Sequence, residues 1–513
     1  RGRRSGGLFG EPGEAFVLQG GRTAIAVSLT EETTAEVVDR MAALAPVADL
    51  FEVRADFVRD LDMGALLAGR TKPILFTCRS ESEGGRFPDR DREALRRLLG
   101  DAVARGFDLV DVEERSGFAD AVRPPAGRGL VLSWHDFEGT PDDLDGIHDR
   151  MAARQPDVVK IAVTARSVAD LGRLLAFAAR RTGRPGPRLV AIAMGPLGVA
   201  SRLLGGRWGA PFTFASPEDG RAAAPGQLTA RVLRAIYRVG SVSGSTRVYG
   251  LLGADVLRSL SPAIQNRAFA DRGIDAVYVP LPAESMAAFA AALPGLDLSG
   301  FSVTRPYKGE VLPYLHSATA AVAESGSANT VVVQEGRLVG LSTDGDGVLV
   351  PLRRRIDPAG VVVVIVGAGG ASRAAAFALV RAGAQVTVLA RRAGQAAEVA
   401  AATGCASAGL DALPGLRWDV LVNATPVGSG ACPGRTPVPE SALRRGAVVF
   451  DMVYEPRETA LLAAARARGC VAIEGVEMLV AQAVGQFEAW TREPAPVAAM
   501  TEAALAAIAE VGA

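Results

Sequence analysis

The chain has 513 residues, too many for one hydrophobic core, and an ordinary globular composition of 49% apolar and 22% charged residues, so several domains are expected. Its 56 basic residues balance 56 acidic ones, which removes any net field for nucleic acid and leaves anionic ligands to be held by local cations. No apolar run reaches the roughly 18–20 residues of a membrane span, and Cys78, Cys405, Cys432 and Cys470 lie too far apart for a metal motif or a disulfide framework.

A cytoplasmic location is expected, with the plastid stroma as the alternative if the basic, acid-poor residues 1–10 are the remnant of a transit peptide. Eight short apolar, β-rich runs follow, at 23–29, 48–53, 73–78, 107–112, 129–134, 157–163, 188–194 and 211–215. Segments with helical periodicity or turn residues separate them, and that repeat predicts a (β/α)8 TIM barrel over residues 20–239. A predicted helix at 227–239 runs into Gly240-Ser241-Val242-Ser243-Gly244-Ser245, read as a linker. Residues 247–350 alternate strands and helices again, as an α/β substrate domain. The apolar strand 361–366 then meets Gly367-Ala368-Gly369-Gly370, and further strands at 385–389, 418–422 and 447–451 predict a doubly wound Rossmann domain over 351–485, closed by C-terminal helices over 486–513.

Polar residues gather at the C-terminal ends of the predicted barrel strands: Glu52, Arg54, Arg79, Glu113, His135 and Lys160, with Arg202 in the loop after the seventh. Any one of them could be a barrel-mouth ion pair, but together they mark the face on which this fold builds its sites. Lys160 interrupts Val158-Val159-Lys160-Ile161-Ala162-Val163, where desolvation frees an amine for attack on a ketone. The alternative is a buried ion pair with Glu52, Glu83 or Glu113. His135 can shuttle protons near neutrality, or pack as a plain core histidine.

The segments Phe51-Glu52-Val53-Arg54-Ala55-Asp56, Thr77-Cys78-Arg79-Ser80-Glu81-Ser82-Glu83, Ser133-Trp134-His135-Asp136 and Val158-Val159-Lys160-Ile161-Ala162 resemble type I dehydroquinate dehydratase, in order, over about residues 20–238. The resemblance implies an imine between Lys160 and the C3 ketone, proton transfer at C2 by His135, and Glu83 orienting His135, with no metal. It also implies that Glu52, Arg54, Arg79, Arg202 and Gln227 hold the substrate. Ala223-Ala224 stands where that family usually has Ser-Ala, so one hydroxyl contact is absent.

The turn Gly367-Ala368-Gly369-Gly370-Ala371 opens a helix, so its amides can approach a pyrophosphate. After the next strand come Arg391 and Arg392, with no acidic residue for a ribose 2′-hydroxyl, and NADP is inferred, the alternative being two solvated arginines. Ser259-Leu260-Ser261-Pro262, Ser302-Val303-Thr304-Arg305-Pro306-Tyr307-Lys308, Ser327-Ala328-Asn329-Thr330 and Ser342-Thr343-Asp344 resemble the substrate loops of shikimate dehydrogenase. So do Asn423-Ala424-Thr425-Pro426, Asp451-Met452-Val453-Tyr454 and Gly475-Val476-Glu477-Met478-Leu479-Val480-Ala481-Gln482, and the two halves together resemble the fused plant-type arrangement.

That resemblance implies a catalytic pair of Lys308 and Asp344; an interdomain salt bridge is the structural alternative. It places substrate contacts at Ser259, Ser261, Thr304, Asn329, Thr343, Tyr454 and Gln482. Cofactor contacts fall at Gly367, Ala368, Gly369, Gly370, Ala371, Arg391, Arg392, Asn423, Thr425, Met452 and Gly475. Arg258, Gln265, Arg305 and Ser342 depart from the usual pattern. The expected partners are small molecules, namely 3-dehydroquinate, 3-dehydroshikimate and shikimate, with no nucleic acid or membrane, and a monomer is compatible. Competing readings are a quinate-preferring second half and a non-catalytic metabolite sensor. Retention of Ser259 and Ser261 disfavours the first, and retention of Lys160, His135, Lys308 and Asp344 the second.

Overall fold

A computed structural model describes residues 21–218 and 222–511. The basic residues 1–10, the expected barrel start at residue 20, and the last two residues of the expected C-terminal helices lie outside them. By compactness the described residues up to 248 form one unit with 275–298, and 249–274 form a second with the described residues from 299 onward.

The first unit contains eight parallel strands: β1 (Ala24–Leu29), β2 (Leu50–Arg54), β3 (Ile74–Thr77), β4 (Leu109–Glu113), β5 (Gly129–Asp136), β6 (Val158–Thr164), β7 (Arg188–Met194) and β8 (Phe212–Ala215). They pair in the order β7-β6-β5-β4-β3-β2-β1-β8, a nearly closed TIM-type barrel. Side-chain alternation decides what fills it. Ala26, Leu50, Leu75, Leu109, Val131, Val158, Val190 and Phe212 cluster on the inside. Two residues further along, the same faces carry Ser28, Glu52, Thr77, Asp111, Ser133 and Lys160, and beyond those Arg54, Arg79, Glu113 and His135. The apolar floor thus lies toward the N-terminal ends of the strands and the polar layer toward the C-terminal ends.

The helix expected at 227–239 is only Ala230–Ala235. Thr229 caps its first turn by accepting from the Val232 amide, and Ser216 and Thr229 form an isolated β-bridge that keeps the preceding residues extended. The helix ends at Ala235, and Arg238, in the left-handed region at φ 48°, leads into a short turn at Val239–Ser241 that overlaps the start of the expected linker. In the same unit β10 (Ala276–Pro282) leads to the helix Met286–Leu296, which packs on the barrel helix Val168–Arg181.

The second unit holds β9 (Arg247–Gly253), β11 (Leu298–Val303), β12 (Ser317–Ala318), β13 (Thr330–Gln334) and β14 (Arg337–Leu341), ordered β9-β11-β13-β14-β12. It also holds a parallel sheet of β15 (Val362–Val366), β16 (Gln385–Ala390), β17 (Ala406–Gly409), β18 (Val420–Asn423), β19 (Val448–Asp451) and β20 (Val471–Ile473), ordered β17-β16-β15-β18-β19-β20. The order reverses beside β15, where a doubly wound sheet opens its ligand crevice. The expected borders at 350/351 and 485/486 fall inside the helices Asp344–Arg353 and Gly475–Thr491. Among the described residues no helix is long and apolar enough to cross a membrane.

Candidate active sites

The barrel mouth brings Glu52, Arg54, Arg79, Glu83, His135, Lys160, Arg202 and Gln227 onto one cavity, with Phe214, Ala223 and Ala224 completing its wall. Lys160 projects from mid-strand β6 and is 6% exposed. Its Nζ lies 3.4 Å from Asp111 Oδ2, 3.8 Å from Glu52 Oε1 and 4.4 Å from the centre of the Phe214 ring. Burial depresses its pKa, helped by Arg79 and Arg54 and resisted by Asp111 and Glu52.

His135 Nδ1 meets Glu83 Oε2 at 2.9 Å, which leaves Nε2 as the ring atom free to move a proton. Arg115 Nη1 binds the other Glu83 oxygen at 3.1 Å. Gly84, directly after Glu83, has φ +78° and a Cβ there would lie 2.6 Å from the Phe137 ring, so only glycine lets this turn press against that ring. Burial pushes the Glu83 carboxyl up to about 7, and burial with the surrounding cations holds His135 well below its ordinary value.

The three guanidiniums differ. Arg54 forks onto Asp56 at 2.9 and 2.8 Å. Arg79 reaches Asp111 at 2.9 Å, Ser133 Oγ at 2.8 Å and Glu113 at 3.4 Å. Arg202 is 2% exposed and, among the described residues, donates only to the Pro225 carbonyl at 3.1 Å and keeps a buried Nε without an acceptor. Burial pulls its pKa down to about 10. A buried cation with unspent donors suits a ligand carboxylate. Gln227 accepts from the Ala223 amide at 2.8 Å and donates to Ser28 Oγ at 3.3 Å, so the closing loop is tied down by backbone where the hydroxyl is missing.

Sequence reasoning missed Asp111, Ser133, Ser28 and Arg115. Of the three carboxylates considered as partners for Lys160, only Glu52 approaches it; Glu113 is bound by the Ser80 amide and hydroxyl at 2.9 and 2.7 Å, and Asp111 takes the nearer position. The signal was present in Leu109-Val110-Asp111-Val112-Glu113, where strand alternation aims both acids inward.

In the second unit, Ser259, Ser261, Thr304, Lys308, Asn329, Asp344, Tyr454 and Gln482 line one cavity together with Ala371, Met452 and Gly475. Lys308 Nζ donates to Asp344 Oδ2 at 2.6 Å, and Asn329 Nδ2 donates to Asp344 Oδ1 at 2.9 Å. Thr343 does not line this cavity; its amide donates to Asn329 Oδ1 and its hydroxyl to the Gln482 carbonyl, each at 2.9 Å. It ties the loop before Asp344 to the helix Gly475–Thr491.

The glycine-rich turn stands at the end of β15. Gly367 has φ +119°, and a Cβ there would lie 2.9 Å from the Ala424 carbonyl oxygen. No side chain caps the helix Gly370–Arg381, and around Gly369 and Gly370 there is open space. Ser372 Oγ, in its first turn, is buried without a partner among the described residues. Uncapped amides, an orphan hydroxyl and space for a close approach fit a dinucleotide pyrophosphate. Ala368 follows Gly367 in this turn, and Arg391 and Arg392, both exposed, follow β16. Asn423 is placed differently from a ligand contact: it is fully buried, bound to Asp451 at 2.8 Å, to the Val427 carbonyl at 3.1 Å and to the Thr425 hydroxyl at 2.7 Å. It and Thr425 shape the loop that backs Gly367.

A polar barrel mouth and a cleft beside a dinucleotide turn define a two-part enzyme, a lyase joined to a pyridine-nucleotide dehydrogenase. Residues 25–243 match the family model of type I 3-dehydroquinase, 251–331 that of the shikimate dehydrogenase substrate binding domain, and 475–505 that of the shikimate 5′-dehydrogenase C-terminal domain. A bifunctional 3-dehydroquinate dehydratase/shikimate dehydrogenase of Arabidopsis thaliana is 33% identical over 88% of this chain and 78% of its own length. A Pyrococcus furiosus shikimate dehydrogenase (NADP+) is 41% identical over 52% of this chain and 97% of its own. A crystal structure of a shikimate dehydrogenase in complex with NADP+ superposes with a TM-score of 0.50 at 32% identity, covering 52% of this chain and 97% of that one. The chain belongs to the bifunctional 3-dehydroquinate dehydratase/shikimate dehydrogenase family, and its two halves are a lyase and an NADP-dependent oxidoreductase of the shikimate pathway.

Proposed function

We propose that the residues gathered at the two cavities carry the two reactions: Lys160, His135 and Glu83 the dehydration of 3-dehydroquinate, and Lys308 and Asp344 the reduction of 3-dehydroshikimate. The observation that carries the first is a desolvated lysine facing a histidine whose Nδ1 is held by a carboxylate. The Lys160 amine adds to the C3 ketone and expels water, leaving an iminium. His135 Nε2 takes the C2 proton while the C–H electrons move into the iminium to form an enamine. As the enamine returns to the iminium, the C1 hydroxyl leaves as water with the proton from His135, and hydrolysis frees Lys160. Arg202 holds the carboxylate, and Glu52, Arg54, Arg79 and Gln227 shape the hydroxyl-binding wall.

NADPH, when bound, supplies the hydride for the C3 carbonyl. Gly367, Ala368, Gly369, Gly370 and Ala371 cradle its pyrophosphate, Arg391 and Arg392 its 2′-phosphate, and Met452 and Gly475 border the nicotinamide end. Lys308 donates to the C3 oxygen as charge develops there, and Asp344 relays the replacement proton. Ser259, Ser261, Thr304, Asn329, Tyr454 and Gln482 bind the carboxylate and hydroxyls. The cofactor-binding portion covers about 351–485, between a substrate-binding portion at 247–350 and helices from 486, with the dehydratase at 20–239.

Adding 3-dehydroquinate and NADPH to the intact chain should produce a fall in NADPH absorbance. Borohydride added with 3-dehydroquinate should attach ligand mass at Lys160 and fail to do so in Lys160→Ala, while 3-dehydroshikimate reduction continues. Labelling that persists in Lys160→Ala would overturn the lysine assignment.

A further inference from the structure

The second unit has another cavity, of about 390 Å3, which shares Lys308 with the substrate cavity. One wall is the face of the helix Gly370–Arg381 that carries Arg373, Ala374, Phe377, Ala378 and Arg381. Three of the five charged residues on its lining are already compensated: Lys308 pairs with Asp344, which lies outside the lining, and Arg381 with Glu324, each at 2.6 Å. Two are not. Among the described residues Arg305 and Arg373 form no ion pair, and the hydroxyls of Ser327 and Ser342 make no hydrogen bond.

Two exposed arginines and two serines whose side chains have no protein partner among the described residues therefore line one cavity, with no uncompensated carboxylate on its lining. Arg305 and Ser342 are also two positions at which the chain departs from the pattern it resembles, so this lining is not explained by the reduction that Lys308 and Asp344 serve. We propose that the cavity is a binding site for a small phosphate-type dianion, adjoining the cofactor and substrate sites at Gly370 and Lys308 but filled independently of them. Two uncompensated cations match a double negative charge, and guanidinium forks match tetrahedral oxyanions. The hydroxyls supply the remaining donors.

Phosphate oxygens could also come from the cofactor itself, since Gly370 borders this cavity. Calorimetric titration of inorganic phosphate, at a pH where it is the dianion, into the full chain separates the sources when it is run with and without saturating NADP+. The expected result is binding in both cases, weakened about tenfold or more by Arg305→Leu and by Arg373→Leu, as loss of a charged donor pair requires. Each variant should retain wild-type affinity for NADP+, which reports that its fold is intact. If a variant loses NADP+ binding, Ser342→Val takes its place, with an expected loss of a few fold. Phosphate binding that disappears on addition of NADP+, equal binding by wild type and variants, or no binding at all would each overturn the proposal.

Discussion

Asp111 Oδ2 lies 3.4 Å from Lys160 Nζ and 2.9 Å from Arg79 Nη2, so one buried carboxylate faces two buried cations. Its other oxygen accepts from Ser133 Oγ at 2.6 Å. Burial alone would raise this carboxyl's pKa, but Arg79 and Lys160 outweigh it and hold the group ionised. Asp111→Asn should cost about 3–5 kcal/mol of stability, because it strands charge in a low dielectric. It should also shift the half-maximal pH of imine trapping at Lys160 downward, since the largest influence raising that amine's pKa is gone. Denaturant titration and borohydride trapping across pH check both; an unchanged midpoint and an unchanged profile would show the contact to be idle.

The Glu83–His135 pair sets a pH limb. Buried Glu83, pushed up to about 7, is neutral below that pH and then gives no charge to stabilise an imidazolium. The kcat/KM for dehydration should therefore fall as pH drops below about 7. In Glu83→Gln the plateau should be lower and the acid limb should move below 6.5, because burial and the nearby cations hold His135 neutral there. Stability follows the same group with a definite sign. A carboxyl raised from 4.5 to about 7 on folding contributes stability that is complete below 4.5 and lost as pH rises through 7. Tm measured at pH 5 and pH 8 should differ less in Glu83→Gln than in wild type.

Arg391 and Arg392 test the cofactor assignment. Replacing both by Ala should reduce the preference for NADPH over NADH by about tenfold or more, with NADH kinetics nearly unchanged. Equal use of both cofactors by the wild-type chain would remove the role given to these arginines.

Lys308 separates catalyst from ion pair. If it stabilises charge that appears only during hydride transfer, Lys308→Ala should lower kcat about a hundredfold with little change in KM. A purely structural pair would instead lower Tm and leave turnover of the folded fraction intact. Asp344→Asn should also slow turnover, and the double variant should be less impaired than the product of the single effects, because the two groups act as a unit.

The barrel, the dinucleotide turn and the clustering of Lys160 with His135 were legible in the sequence because they rest on local periodicity. Alternation of two along a strand and glycine at a strand-to-helix turn are written in neighbouring residues. Tertiary structure alone decided partnership. Asp111 and Lys160 are 49 positions apart, and Glu83 and His135 are 52 apart. Which buried acid meets which buried base depends on how β4, β5 and β6 are staggered, with Glu113 level with Ser133 and Ser133 level with Lys160. That stagger is a property of the closing barrel, set by strand tilt and shear rather than by any single strand. The same dependence left Arg202 with unspent donors while Arg54 and Arg79 found carboxylates, and it turned Thr343 from an expected ligand contact into a tie between Asn329 and Gln482.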